Sequence, residues 1–311
     1  MDKKVINILC STDDNYAAYC GIMLTSLYES NRDYDIEVYL LTDGLNEKEL
    51  NRFRQFEKRY NTTINIMTVR RESFKHCPVR EGDHVSLTAY YRIACAELLP
   101  EDMHKILYLD CDIMVKCDLC ALWNYEVTGK AMGVVIDGWH IANEQRLGFE
   151  PKTYFNSGVL LINLDYFRDN DIAVKCLNYI NDYPEIIRLH DQDALNIVCH
   201  EDLLYLPLKY NFQTSFLRIN KTYDETLYKE IKTALDEKDL MVHFDAFPKP
   251  WSRFLYVEHP FTKEWRKYRK KSLWPDAKIV SASSSKQIVI MILYKIACVL
   301  GIRRKRKEYI M

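Results

Sequence analysis

No run of about 20 apolar residues, the length a helix needs to cross a bilayer, occurs in this chain of 311 residues, so it is not a polytopic membrane protein. The opening MDKKVINILC lacks the basic, apolar and small-residue succession of a cleavable signal peptide. Its ten cysteines are therefore expected to stay reduced in a cytoplasmic setting, and the sequons at Asn61 and Asn220 to go unused. Internal repeats are absent, which excludes solenoids, and the composition excludes collagen and long disordered spans. The C-x-x-C formed by Cys117 and Cys120, with Cys111 outlying, has no second pair to complete a zinc site. These thiols are expected to be small buried hydrophobes.

What remains is 48% hydrophobic and 28% charged, enough for one large core. The net charge of −1 is unevenly spread. Residues 261–311 hold 14 Lys and Arg against three acids, a net of +11, which leaves −12 on residues 1–260. An acidic body thus ends in a basic tail, a pattern that calls for an anionic partner. Ser272 to Ser285 look like a linker (272–287 in full) between a domain at 1–271 and a C-terminal segment at 288–311. In that segment, residues 288–302 are apolar apart from Lys295 and lead into RRKRK at 303–307. The stretch is too short to span a bilayer and is expected to lie in the interface, its basic residues drawn to anionic headgroups at about 1 kcal/mol each.

Along the body, apolar strands at 5–10, 36–41, 64–67, 106–109, 131–136, 157–163 and 240–244 alternate with helices at 16–30, 47–60, about 87–99 and 191–198. Alternation of this kind argues for βαβ units and a mostly parallel sheet, with ligands at the carboxyl ends of the strands. Two acids pairs, Asp13-Asp14 and Asp110-x-Asp112, fall at such ends. Carboxylates one residue apart can hold a hard divalent cation and leave it room for substrate phosphates. His243 follows another apolar run, and Lys249, in the Pro-bracketed loop six residues on, suits phosphate. An imidazole beside two carboxylates favours Mn²⁺ over Mg²⁺.

Six segments, in order, resemble the family 8 retaining glycosyltransferases, which include bacterial lipopolysaccharide and lipooligosaccharide galactosyl- and glucosyltransferases: STDDNYAAY (11–19), TAYYRI (88–93), KILYLDCDIMV (105–115), YFNSGVLLIN (154–163), HDQDALN (190–196) and HFDAFPKPW (243–251). The resemblance covers about residues 6–265. It implies an α/β, GT-A type, Rossmann-like nucleotide-sugar-binding fold with a basic helical segment appended. It further implies that Asp110, Asp112 and His243 bind Mn²⁺, with Mg²⁺ as the alternative, and that the ion holds the diphosphate of a UDP-hexose. Ser11, Asp13, Asn15 and Tyr16 would meet the uridine and Lys249 the diphosphate. Arg92, Asn156 and Asp191 would hold the donor sugar, with Asp137 on the donor–acceptor side and Gln192 nearest the anomeric carbon.

The implied activity is hexosyl transfer, galactose or glucose, to a saccharide or lipid-linked glycan, at the inner face of the cytoplasmic membrane and without nucleic acid. Two rival readings remain. A nucleotidyltransferase needs a glycine-rich basic loop near the N-terminus, where STDDNYAAY is acidic and has no glycine. A UDP-sugar-binding protein without turnover is hinted at by Ala246, where the family usually has glycine.

Overall fold

The computed structural model describes residues 5–79, 86–253 and 258–281, with the isolated helical positions 289, 292, 293, 296, 297 and 299. The chain begins with β1 (Val5–Ser11), α1 (Ala17–Ser30), β2 (Asp35–Thr42), α2 (Glu47–Tyr60) and β3 (Thr63–Thr68). Residues Leu87–Ala94 form 3₁₀ turns that pass into the single turn α3 (Cys95–Leu98), then β4 (Lys105–Leu109), β5 (Ile113–Val115), α4 (Leu119–Trp123), β6 (Met132–Ile136) and α5 (His140–Leu147). The second half comprises β7 (Phe155–Asn163), α6 (Leu164–Asp169), α7 (Ile172–Asp182), α8 (His190–Cys199), β8 (Leu203–Tyr205), β9 (Phe212–Gln213), α9 (Glu225–Glu237), β10 (Met241–His243), β11 (Ser252–Arg253), α10 (Thr262–Lys271) and β12 (Val280–Ser281).

Seven strands make the central sheet in the order β3-β2-β1-β4-β7-β6-β8. It is parallel except where β7 runs against β4 and β6. Apolar side chains alternate between its faces, as the two-residue strand period requires. Ile6, Ile8, Val38, Leu107, Val159 and Leu161 join the core under α1 and α2. Leu9, Leu41, Ile106, Tyr108, Leu160 and Ile162 join the core under α7 and α8. The result is a three-layer α/β/α body, and the chain reverses its direction of travel across the sheet between β1 and β4, the usual place for a ligand crevice.

Local signals explain individual elements. Asn46 caps α2 by accepting the Glu49 N–H at 3.0 Å, and Asn61 ends it in the left-handed region at φ 49°. The helix expected at 87–99 forms only 3₁₀ turns plus one α turn. Tyr90, Tyr91, Arg92 and Ile93 are all buried in succession, which leaves no solvent face for a regular amphipathic helix, and Arg92 Nε donates to the Ala89 carbonyl at 3.0 Å.

The stretch expected to be a linker is built into the body as far as it is described. Trp274 is wholly buried over Gly21 of α1, where an added Cβ would come 2.1 Å from the indole, and its ring lies 5.0 Å from that of Phe53. Its N–H donates to Glu49 at 2.5 Å, and β12 pairs with β11. Its serine content resembles that of a tether, but one indole is enough to anchor it. Residues 282–287 and most of 288–311, including the RRKRK run, lie outside the described residues. Among the described residues no helix is long and apolar enough to cross a membrane.

Candidate active site

At the switch between β1 and β4, a cleft of about 620 Å³ opens beyond the carboxyl ends of the strands. Because β7 is antiparallel, its amino end reaches the same rim, which brings Asn156 and Ser157 beside Asp110 and Asp137. His243 arrives from a separate small sheet, β5-β10-β9, in which it pairs with Ile113 and Gln213. Phe244 N donates to the Asp112 carbonyl at 2.9 Å, so backbone bonds stitch the D-x-D loop to the histidine strand.

One ligand atom each from Asp110, Asp112 and His243 lies within 4.8 Å of the others. His243 Nε2 is 3.2 Å from Asp112 Oδ1 and 3.8 Å from Asp110 Oδ2. Its Nδ1 pairs with Asn211 Oδ1 at 3.0 Å, so that a proton held there leaves Nε2 bare toward the carboxylates. Gly158 makes the approach possible: a Cβ there would stand 2.2 Å from His243 Cε1 and 3.0 Å from Asp110 Oδ2. Two carboxylates and an imidazole suit Mn²⁺, and also Mg²⁺ with less nitrogen preference. The residues therefore fit a divalent ion.

Both acids already carry organic counter-charges. Asp110 Oδ1 accepts from Arg92 Nη2 at 2.7 Å and from the Tyr108 hydroxyl at 2.8 Å. Arg92 also donates to the Ser157 carbonyl at 2.5 Å and pairs with Asp191 at 3.2 Å, its guanidinium 4.1 Å over the Tyr108 ring. Asp112 Oδ2 accepts from Lys249 Nζ at 2.5 Å. Burial alone would raise the Asp112 carboxyl, but Lys249 and then His243 outweigh it and hold it well below the ordinary carboxylate range. Burial likewise opposes charge on His243 and Lys249, yet Asp112 raises both. Asp191 goes the other way, because its burial exceeds the pull of Arg92.

The cleft's far wall is a hydrogen-bonded set. Gln192 Oε1 accepts the Ser157 N–H at 3.0 Å, while its Nε2 donates to Asp137 Oδ2 at 3.3 Å and to the Tyr154 hydroxyl at 3.2 Å. Asn156 Nδ2 also donates to Asp137 Oδ2, at 3.3 Å. Burial, and then the like charge of Asp245, push the Asp137 carboxyl up to about 6.

Of the residues singled out in the sequence, Ser11, Tyr16, Arg92, Asp110, Asp112, Asp137, Asn156, Asp191, Gln192, His243 and Lys249 line this one cleft. Asp13 and Asn15 do not. The Asp13 carboxylate is engaged in its own loop, accepting the Asn15 and Tyr16 N–H groups at 3.0 Å each. Ala246 lines the cleft without positive φ, so the methyl introduces no backbone strain. Sequence reasoning missed Asn211, Tyr108, Tyr154 and the steric demand at Gly158, none of which has a local signature.

A mostly parallel sheet with two acids and an imidazole at its switch point is the arrangement that the GT-A glycosyltransferase fold presents. Residues 7–254 match the profile of glycosyl transferase family 8, and the chain belongs to that family. It is 28% identical over 276 residues to general stress protein A of Bacillus subtilis, covering 87% of this chain and 95% of that protein. It is 24% identical over 278 residues to a lipopolysaccharide 1,2-glucosyltransferase of Escherichia coli K12, covering 88% and 80%. Among solved structures it resembles galactosyltransferase LgtC, in complex with donor and acceptor sugar analogs, at 26% identity and a TM-score of 0.76 over 86% of this chain and 96% of that one.

Proposed function

We propose that this family 8 enzyme transfers a hexose, galactose or glucose, from a UDP-sugar to a lipid-linked glycan with retention of configuration. The observation that carries the reading is the convergence of Asp110, Asp112 and His243 in the same cleft as Lys249, Arg92, Asp191 and Gln192. Similarity to lipopolysaccharide glucosyltransferases and to LgtC supports the choice of hexose and acceptor class.

When bound at the two carboxylates and the imidazole, Mn²⁺ or Mg²⁺ would neutralise the charge that builds on the departing diphosphate. Lys249 adds a point charge on the same group, where charge develops as the sugar bond breaks. Ser11 and Tyr16, which line the cleft, are assigned to the uridine, and Asp13 and Asn15 are assigned to it through the turn they form after β1. Arg92, Asn156 and Asp191 are assigned to the donor sugar, their side chains fixed by the ion pairs and amide bonds described above. Gln192, held by Ser157 N and Tyr154, is assigned to the face of the anomeric carbon, where an amide oxygen stabilises an oxocarbenium-like centre. Asp137, bonded to both amides, is assigned to the donor–acceptor side.

The test is UDP release from a panel of UDP-sugars with Mn²⁺, Mg²⁺ or EDTA. Release from one UDP-hexose that requires the metal and stops on chelation is expected. UDP binding without release from any hexose, with saccharide and lipid acceptors supplied, would instead make this a binding protein without turnover.

We further propose that the enzyme is cytoplasmic and works on the inner membrane face, held there by residues 288–311, a segment distinct from the body that precedes it. Val289, Ile292, Leu293, Ile296 and Val299 are helical, recur at helix-face spacing and are all exposed, ahead of a basic run that matches anionic headgroups. Deleting residues 288–311 should release the protein from vesicles containing anionic lipid while UDP-sugar hydrolysis stays largely intact. Unchanged partitioning on sedimentation would reject this placement.

A further inference from the structure

The two acids of the candidate metal site are neutralised in different ways. Arg92, on Asp110, is buried and locked by the Ala89 and Ser157 carbonyls and by Asp191. Four partners hold its guanidinium at once. Lys249, on Asp112, sits on the loop after β10 with a side chain 13% exposed, and among the described residues its ion pair is to Asp112 alone. A flexible four-carbon stem ending in a point charge can move. Lys249 thus holds an ammonium on one of the oxygens a cation would take, and a dication arriving alone meets that ammonium on one of its own ligands.

We infer that Lys249 is a placeholder for the metal, so that a divalent cation binds tightly only together with a diphosphate that draws the ammonium off Asp112. This rests on the reading of Asp110, Asp112 and His243 as metal ligands. On arrival of a nucleoside diphosphate, the ammonium exchanges one oxyanion partner for another, Asp112 Oδ2 is freed as a ligand, and the negative diphosphate balances the incoming cation. Metal and nucleotide then strengthen each other's binding by the same factor, as linkage demands. The same lysine opposes a metal that arrives alone and favours one that arrives with the diphosphate.

That double role separates the inference from a lysine that only contacts phosphate. Mn²⁺ is titrated into the protein and free Mn²⁺ is read by electron paramagnetic resonance, first alone and then with saturating UDP. For the unaltered protein, UDP should tighten Mn²⁺ binding at least about ten-fold, the lower range of typical allosteric coupling. Lys249→Met should bind Mn²⁺ alone at least several-fold more tightly than the unaltered protein, yet gain much less from UDP. Lys249→Arg keeps the charge and should retain weak binding of Mn²⁺ alone, provided its melting temperature shows a folded chain.

Should Lys249→Met bind Mn²⁺ alone no more tightly than the unaltered protein, the placeholder role is overturned. Asp112→Asn tests the underlying site separately. If that variant binds Mn²⁺ with UDP as well as the unaltered protein does, the metal assignment itself fails, whatever Lys249 does.

Discussion

Gly158→Ala is expected to lower metal-dependent UDP-sugar turnover about 100-fold or more while leaving the fold intact. The added methyl would stand 2.2 Å from His243 Cε1 and 2.7 Å from Nδ1, distances at which something must shift. The side chain that shifts is fixed on its other side by Asn211, 3.0 Å away, and its backbone is held between β5 and β9. Movement of the imbedded ring would therefore break the Asn211 bond or displace Nε2 from the carboxylates. A misplacement of about 1 Å in an active site can cost about two orders of magnitude in rate. β7 itself pairs on both edges and tolerates alanine as a strand residue, so the melting temperature should fall far less than turnover does. Turnover within a few-fold of the unaltered enzyme would mean that His243 is not needed at this position.

Gly158 illustrates what a sequence can and cannot show. YFNSGVLLIN announces a buried strand by its apolar run, and β7 is there at Phe155–Asn163, but the reason for the glycine lies 85 positions away at His243. The same holds for the whole site. Strand ends after β1 and β4 are legible because apolar runs stop at acids, and the parallel alternation predicts that those ends share a rim. Nothing local tells that β7 runs backwards and delivers Asn156 and Ser157 to that rim from its amino end, or that a three-stranded appendage carries His243 to Asp112.

Polar partners were legible only as motif members. Asp193 is an example: HDQDALN suggests an acid at a helix start, and the structure shows Asp193 accepting the Arg188 and Leu189 N–H groups while also bonding Tyr154 and Arg146. Asp191, two residues earlier, faces Arg92 instead. Which acid serves the backbone and which the cleft follows from packing against the 3₁₀ turns of Leu87–Ala94 and strand neighbours, not from spacing. Trp274 misled in the opposite sense, because a serine-rich context outweighed a single residue whose burial decides where the body ends.

Asp137→Asn is expected to flatten the pH dependence of stability between about pH 4 and pH 7. Burial and Asp245 raise the folded-state carboxyl from 3.8 to about 6. Below the unfolded value both states hold the proton, and the group costs nothing. As pH rises, the unfolded chain ionises first, so the folded state loses relative stability until its own carboxyl ionises. The loss is complete above the folded value. A rise of about two pKa units corresponds to about 3 kcal/mol. Asparagine keeps the acceptor for the Trp139 N–H, now 2.7 Å from Oδ1, but presents an amide to the Asn156 and Gln192 amides that donate to Oδ2. That mismatch adds a cost of about 1–3 kcal/mol that does not vary with pH. The informative quantity is therefore the difference between the two proteins' urea-unfolding free energies followed across pH. The unaltered protein should lose up to about 3 kcal/mol relative to the variant on going from pH 4 to pH 7. A difference that stays level across that range would mean that Asp137 ionises in the folded protein as freely as in the unfolded chain, and that its amide partners and residual water stabilise its charge as well as solvent does.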